Sequence, residues 1–246
     1  MSQKTILITG AAGHVGRAVV SKFLADGWVV IGLVHHLKPV SQSKDSHEKN
    51  YHEFAIDLND TKATESLIDQ LFKTHKTIDA AVLTVGGFAM GSIEETSLDQ
   101  IKAMTRINFE TAYNAARPLF THFKTQASGK LFFIGSTPGI RPELSESMVA
   151  YSLAKAQLVQ LAKIINGSKT ASKPASEKVA SNDQPVIQAH VVVPTTIDVP
   201  LARQEMPDAD FSTWVSPDEI AQVIAKYANV YDANKTVIEV IGEVRR

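Results

Sequence analysis

The run Lys4-Thr5-Ile6-Leu7-Ile8-Thr9-Gly10-Ala11-Ala12-Gly13-His14-Val15-Gly16 decides the fold. Lys4 to Thr9 reads as a short, β-rich strand of the buried type. It ends in a turn with three glycines, and helical spacing starts at once. Over His14 to Asp26, Val15, Val19, Phe23 and Leu24 share one face, and Gly27 ends the helix. A phosphate-binding turn needs glycine because it is tight, because its backbone approaches a pyrophosphate closely, and because the helix packs against the strand. Gly10, Gly13 and Gly16 meet these needs. The helix amino end adds amide donors and the positive end of a dipole. The string alone is weak, but its place after a strand and at the head of a helix is what the motif demands. Gly10, Ala12, Gly13, His14, Val15 and Gly16 are therefore candidate dinucleotide contacts.

The alternation continues outward from this unit. Strands are expected at Trp28 to Val34, Tyr51 to Asp57, Ile78 to Val85, Lys130 to Gly135, Pro185 to Val193 and Thr236 to Ile241. Helices are expected at Thr61 to His75, Met148 to Ile165 and Ser216 to Val230. Leu98 to Gln126 reads as two consecutive helices or one long bent one. Ser216 is the expected N-cap of its helix, with Pro217 at the first helical position. Near-continuous apolar strands fit a sheet covered on both faces. The pattern predicts one α/β domain over residues 1–246, a Rossmann-type, doubly wound parallel sheet of about seven strands with helices on both faces. Ligands of such sheets bind beyond the carboxyl ends of the strands. Two polar segments interrupt it. Lys38 to Asn50 reads as a linker, and Asn166 to Gln184 as a mobile surface insertion on the face away from the ligand mouth.

Bulk numbers narrow the function classes. The 246 residues are 44% apolar and 21% charged, with a formal net charge of -1. That balance offers no basic field for nucleic acid or anionic lipid. The absence of cysteine excludes disulfides, thiolate catalysis and cysteine-ligated zinc. No apolar run approaches the roughly 20 residues that span a bilayer, and the N-terminus has no signal-peptide pattern. A cytoplasmic protein is expected. The histidines are scattered, and no metal site is expected.

The strand-two end bears on cofactor choice. NAD-preferring sites place a carboxylate there, on the ribose diol. Here Val34-His35-His36-Leu37-Lys38 has no acid. His35, His36 and Lys38 either meet a 2′-phosphate, which favours NADP(H) over NAD(H), or face solvent from a loop. Asp57, beside Leu58, either binds the adenine amino group or caps the next helix.

Residues 151 to 155 read Tyr-Ser-Leu-Ala-Lys. Tyr151 and Lys155 are four apart and share a helix face. A free tyrosine has a pKa near ~10 and serves better as acid than as base. A nearby ammonium is expected to lower that value, giving an acid/base suited to carbonyl reduction and alcohol oxidation. The other donors of Lys155 would hold the nicotinamide ribose.

With these residues in view, the chain resembles the short-chain dehydrogenase/reductase superfamily over essentially its whole length. The likeness rests on the glycine turn, Asp57, Gly86-Gly87, Asn108, Ser136, the YSLAK run and Pro194. It implies that Ser136 holds the substrate oxygen, with Thr137 as the fallback because the spacing to Tyr151 implies a small insertion near Glu143 to Ser147. It implies that Asn108 anchors a water chain to Lys155, and that Pro194, Thr195, Thr196 and Ile197 contact the cofactor. Two features depart from the main pattern. His14 stands where a small residue is usual, and Thr84-Val85-Gly86-Gly87 replaces an Asn-Asn-Ala-Gly segment. Val193 to Pro200 and Met206 to Trp214 are instead similar to dihydropteridine reductases. Members of that group use NADH, carry an acid at the strand-two end, and lack the serine and asparagine retained here.

The expected activity is hydride transfer between a nicotinamide and a small carbonyl or alcohol substrate. A pterin reductase is the alternative, and a catalytically idle dinucleotide sensor is the reading from another class. Phe88, Met90, Ile140, Met206, Phe211 and Trp214 are candidate pocket residues, each also suited to core or lid packing. Residues 199–215 have the position of a substrate lid. The resemblance implies a homodimer or homotetramer, for which the helices around Phe109 to Phe123 and Leu153 to Ile165 are candidates.

Overall fold

The computed structural model describes residues 3–36, 48–168, 186–230 and 235–242. Seven strands form one sheet: β1 (Thr5–Thr9), β2 (Val29–Val34), β3 (Tyr51–Ala55), β4 (Ala80–Leu83), β5 (Ser128–Ile134), β6 (Val186–Pro194) and β7 (Val237–Val240). Their order is β3-β2-β1-β4-β5-β6-β7, and every pairing is parallel. The order reverses between β1 and β4, so the crevice expected of a doubly wound sheet opens there. The helices are α1 (His14–Ala25), α2 (Thr61–His75), α3 (Leu98–Thr105), α4 (Thr111–Gln126), α5 (Val149–Gly167), α6 (Pro200–Glu205) and α7 (Pro217–Asn229).

The strands are apolar on both sides because both sides are covered. Leu7, Ile31, Leu83, Leu131, Phe133 and Val191 join residues of α2, α4 and α5 in one buried layer. Ile6, Ile8, Val30, Phe132 and Ile134 join α1 and α7 in the other. Only β3, at the edge of the sheet, carries mostly exposed or half-buried side chains.

Three local features sharpen the sequence reading. Leu98 to Gln126 is two consecutive helices, α3 and α4, the first of the two expected arrangements. The five residues Arg106–Glu110 form a π-helical turn between α3 and α4, and such single turns occur often at functional sites. The cap of α2 is Asp60, whose side chain accepts from Ala63 N at 3.0 Å. Asp57 therefore does not cap that helix. Asn166, read as the start of the surface insertion, lies in the last turn of α5. Its Oδ1 accepts from Ala189 N and its Nδ2 donates to Ala189 O, both at 2.8 Å, so one side chain satisfies both backbone groups of a residue in β6. Residues 38–47 of the first polar segment and 169–184 of the second lie outside the described residues, and Lys38 is among them. Residues 48–50 form a short 3-10 turn. Ser216 caps α7 through a reciprocal capping box with Glu219, as expected for a Ser-x-x-Glu start.

Asn166→Ala should lower unfolding free energy by about 1–3 kcal/mol, because it leaves two strand groups unpaired. Urea unfolding measures it, and a loss within a few tenths would show that water replaces the amide.

Candidate active site

The β1–α1 turn brings a helix head close to the end of β1. Gly10 has a φ of 63°, a conformation that costs other residues strain. A Cβ at Gly16 would overlap the Gly10 carbonyl oxygen, so only glycine lets α1 start this close to the turn. Gly13 is the N-cap of α1 and supplies no side-chain bond, and the first turn has no acidic residue. The first amides of α1 thus lack an internal cap and face the crevice with the positive end of the dipole. His14 stands exposed and Val15 half-buried at that helix head, and Ala12 is half-buried in the turn. Thr84 ties this turn to the end of β4, with Oγ1 donating to Thr9 O at 2.7 Å.

The far end of β2 carries His35 and His36, both exposed, with ring centroids 4.1 Å apart. Asp57 is exposed beside them. Hydrogen bonds from Asn59 hold its carboxyl below the usual range, and the charges of His35 and Arg106 add to that. Arg106 in turn donates from Nε to Asn59 Oδ1 at 3.1 Å. Sequence reading missed Asn59 and Arg106. An Asp-x-Asn turn after a strand was the available signal for the first. Leu58 spends its side chain on the core, which leaves only its backbone for a ligand.

Tyr151 and Lys155, the expected proton-transfer pair, both lie on α5. Lys155 is buried, and its Nζ donates to Ile134 O at 2.8 Å. It sits 5.6 Å from the centroid of the Tyr151 ring. Burial pushes the Lys155 ammonium down to about 8, so it still carries its charge at neutral pH. Two glycines make room for it. A Cβ at Gly86 would stand 2.6 Å from Asn108 Oδ1 and 3.2 Å from Lys155 Nζ, and one at Gly139 would stand 2.8 Å from Lys155 Cβ. Asn108, inside the π turn, accepts from Gly87 N at 3.2 Å and donates to Gly87 O and Met104 O, both at 3.1 Å. The side chain is spent on stapling this loop.

The expected drop in the Tyr151 pKa is not what the structure gives. Burial raises the phenol above its usual value, and only the nearby Ser136 hydroxyl offsets part of that. The ammonium is directed at Ile134 O and over the ring face, so it does little for the hydroxyl. Ser136 Oγ is buried and forms no completed hydrogen bond, and its approach to Tyr151 stops short of one. Thr137, the fallback, donates from Oγ1 to Pro194 O at 3.3 Å. Ser136 is therefore the hydroxyl left over. Residues 143–147 contribute to a short 3-10 turn, Pro142–Leu144, and a loop held by Ser145 Oγ on Pro138 O at 3.0 Å.

Of the candidate pocket residues, Phe88 meets the site directly, with its ring 5.0 Å from that of Tyr151 and edge-on to it. Met90 and Met206 are exposed, and Ile140 packs half-buried against the core. Residues 199–215 are more ordered internally than a simple loop. Arg203 pairs with Asp198 through two bonds of 2.6 and 2.8 Å, and its guanidinium lies 4.6 Å from the Phe211 ring. Phe211 packs edge-on against Trp214 at 4.7 Å. Trp214 is only 6% exposed, so it anchors this segment to the core and is not open to a ligand. Thr196 and Ile197 stand at its base, where Val215 N donates to Thr196 O at 2.9 Å and residues 197 and 215 form a bridge. Thr195 N donates to Val240 O at 3.1 Å.

Among the described residues, no group of three His, Cys, Asp or Glu is placed to hold a metal, and no helix is long and apolar enough to cross a membrane. The short chain dehydrogenase family model matches residues 4–209. The chain belongs to the short-chain dehydrogenase family. It is an oxidoreductase of that family, whose members generally depend on NAD(P) and act on small molecules.

This short-chain dehydrogenase is 24% identical to the dihydropteridine reductase of Dictyostelium discoideum, over 95% of this chain and 91% of that one. It is 23% identical to the acetoacetyl-CoA reductase of Acinetobacter sp. (strain RA3849), over 66% of this chain and 67% of that one. Among solved structures, it is similar to ElxO with NADP bound, with a TM-score of 0.82 at 20% identity, over 97% of each chain. It is also similar to an NAD+-bound xylitol dehydrogenase, with a TM-score of 0.80 at 16% identity, over 98% of each chain.

Gly16→Ala should weaken binding of the reduced dinucleotide by at least about tenfold and destabilise the fold by about 1–3 kcal/mol. Fluorescence titration and thermal melting measure the two effects. Unchanged binding would reduce the turn to a packing device.

Proposed function

We propose that the protein reduces a carbonyl group of a small molecule with a nicotinamide dinucleotide, and that Tyr151 donates the proton. The observation behind this reading is the buried Ser136 hydroxyl that forms no completed hydrogen bond beside the Tyr151 phenol. A buried polar group left unpaired costs about 1–3 kcal/mol, and a substrate oxygen placed here would remove that cost.

Hydride chemistry is what a bound nicotinamide dinucleotide supplies. The residues fit such a group: an uncapped helix end behind a glycine turn, and a Gly86 whose missing Cβ lets the loop after β4 pack against Asn108 and Lys155. In this reading Gly10 to Gly16 hold the pyrophosphate, and Gly86 and Gly87 lie along the ribose. Asp57 and the Leu58 backbone meet the adenine, and Pro194 to Ile197 meet the nicotinamide amide. Tyr151 is protonated at neutral pH, as any tyrosine near its usual value of ~10 is, and burial raises its pKa further, which suits the reducing direction. Ser136 gives the substrate oxygen a second donor as negative charge develops there. Lys155 orients the ribose and keeps a positive charge near the phenol. Asn108 keeps the Gly86–Gly87 wall in place beside it. Residues 199–215 close over the substrate as one packed unit.

The exposed His35 and His36, with no acid at the strand-two end, support NADPH over NADH. The exposed Tyr113 on α4 and Leu153 on α5 support a homodimer or homotetramer built on those helices, in a cytoplasmic protein of one domain. A second reading is a pterin reductase. It is favoured by a dihydropteridine reductase that aligns along nearly the whole chain.

Steady-state kinetics with both reduced cofactors and a panel of ketones, aldehydes and quinonoid dihydropterin test these readings. The parent should prefer NADPH, and Tyr151→Phe should lose at least about 10²-fold in turnover. A variant within a few-fold of the parent contradicts the acid role. Turnover confined to the dihydropterin selects the second reading, and tight cofactor binding with no turnover at all selects an idle sensor.

A further inference from the structure

We propose that Phe88 is an aromatic platform that makes the site selective for planar, conjugated carbonyl compounds over saturated ones. The inference rests on the carbonyl reading of Tyr151 and Ser136 and adds the class of substrate.

Phe88 is half exposed, at 50%, yet its ring already stands edge-on to Tyr151 at 5.0 Å. The backbone that carries it is held at both ends. On one side, Asn108 binds Gly87 through N and O. On the other, Gly91 N donates to Ser147 O at 2.8 Å and Val149 N donates to Gly91 O at 3.0 Å, which joins the segment to the head of the helix bearing Tyr151. An aromatic side chain fixed in this way, with much of its surface in water, is an unpaid apolar area next to the reacting groups.

The surrounding chemistry restricts what can cover it. Thr84 to Ser92 contains no charged residue, and Met90, exposed at 60%, adds soft, polarisable surface. A polyol laid here would leave its hydroxyls without partners. A flat conjugated ring gains the offset or edge-to-face contact that aromatic pairs prefer. The second observation is independent of the ring. Ser136 Oγ is more than nine-tenths buried and forms no completed hydrogen bond, so the ligand brings an oxygen to it. A ring that rests on Phe88 and points a conjugated carbonyl at Ser136 and Tyr151 satisfies both. The reduction adds a hydride to the carbonyl carbon and the Tyr151 proton to its oxygen, while the reduced nicotinamide dinucleotide is oxidised.

The experiment compares kcat/KM for paired aldehydes of similar size, benzaldehyde and cyclohexanecarbaldehyde, in the parent and in Phe88→Leu. Intrinsic reactivity cancels when the two ratios are compared. The aryl-to-saturated ratio should fall about 2- to 12-fold in Phe88→Leu, the worth of one aromatic pair beyond its area. It should be retained in Phe88→Tyr, with circular dichroism confirming that both variants fold. Turnover of both aldehydes with an unchanged ratio overturns the platform and leaves the carbonyl reading standing. Turnover of neither by the parent overturns both.

Discussion

An ammonium is held inside this protein with one backbone carbonyl as its hydrogen-bond partner. Lys155 donates to Ile134 O, and the rest of the site is arranged around that constraint. Burying a charge is costly unless it is compensated, and compensation here demands close backbone approach. Gly86 from the loop after β4 and Gly139 from the turn after β5 both lack a Cβ where one would strike Lys155 or the side chain beside it. Asn108 then fixes the first of these loops, and the π turn presents Asn108 at the needed angle. Tyr151, one helical turn before Lys155, follows from the same placement.

The order of the strands converts this local arrangement into a site. The glycine turn after β1 and the Lys155 cluster after β4 and β5 open on the same end of the sheet because all pairings are parallel. Thr84 couples the two by bonding Thr9. The head of α1 and the Tyr151–Lys155 pair thus lie toward one end of the sheet.

The parts legible in the sequence were those written in glycine, strand period and helix spacing. The first sixteen residues carried the βα unit in full, because each glycine meets a backbone need that no other residue meets. The Tyr151–Lys155 face followed from four-residue spacing. What the sequence hid depends on three-dimensional burial or on small shifts in the hydrogen-bond ladder. Arg106-Ile107-Asn108-Phe109-Glu110 reads as ordinary helix, since one extra residue in a turn leaves no mark in composition. Asn166 belongs to a polar stretch by content but pins β6 by position. Thr137 and Ser136 are equivalent as hydroxyls until Pro194 O is seen to occupy one of them. The direction of the Tyr151 shift could not be read at all. Spacing promises a nearby ammonium, whereas burial, which spacing does not record, proves larger.

The buried charge is most directly tested by unfolding the parent and Lys155→Met in urea from pH 7 to pH 10.5. The folded pKa of Lys155 lies at about 8 and the unfolded one near ~10.4, so the unfolded chain binds more protons between them. Burial of the charge lowers parent stability in full below about 8, and that penalty fades as pH rises toward the unfolded value. The parent should gain about 3 kcal/mol on the variant across this interval. A difference that stays flat with pH would contradict it, because Lys155 would then be as well solvated in the fold as in the open chain.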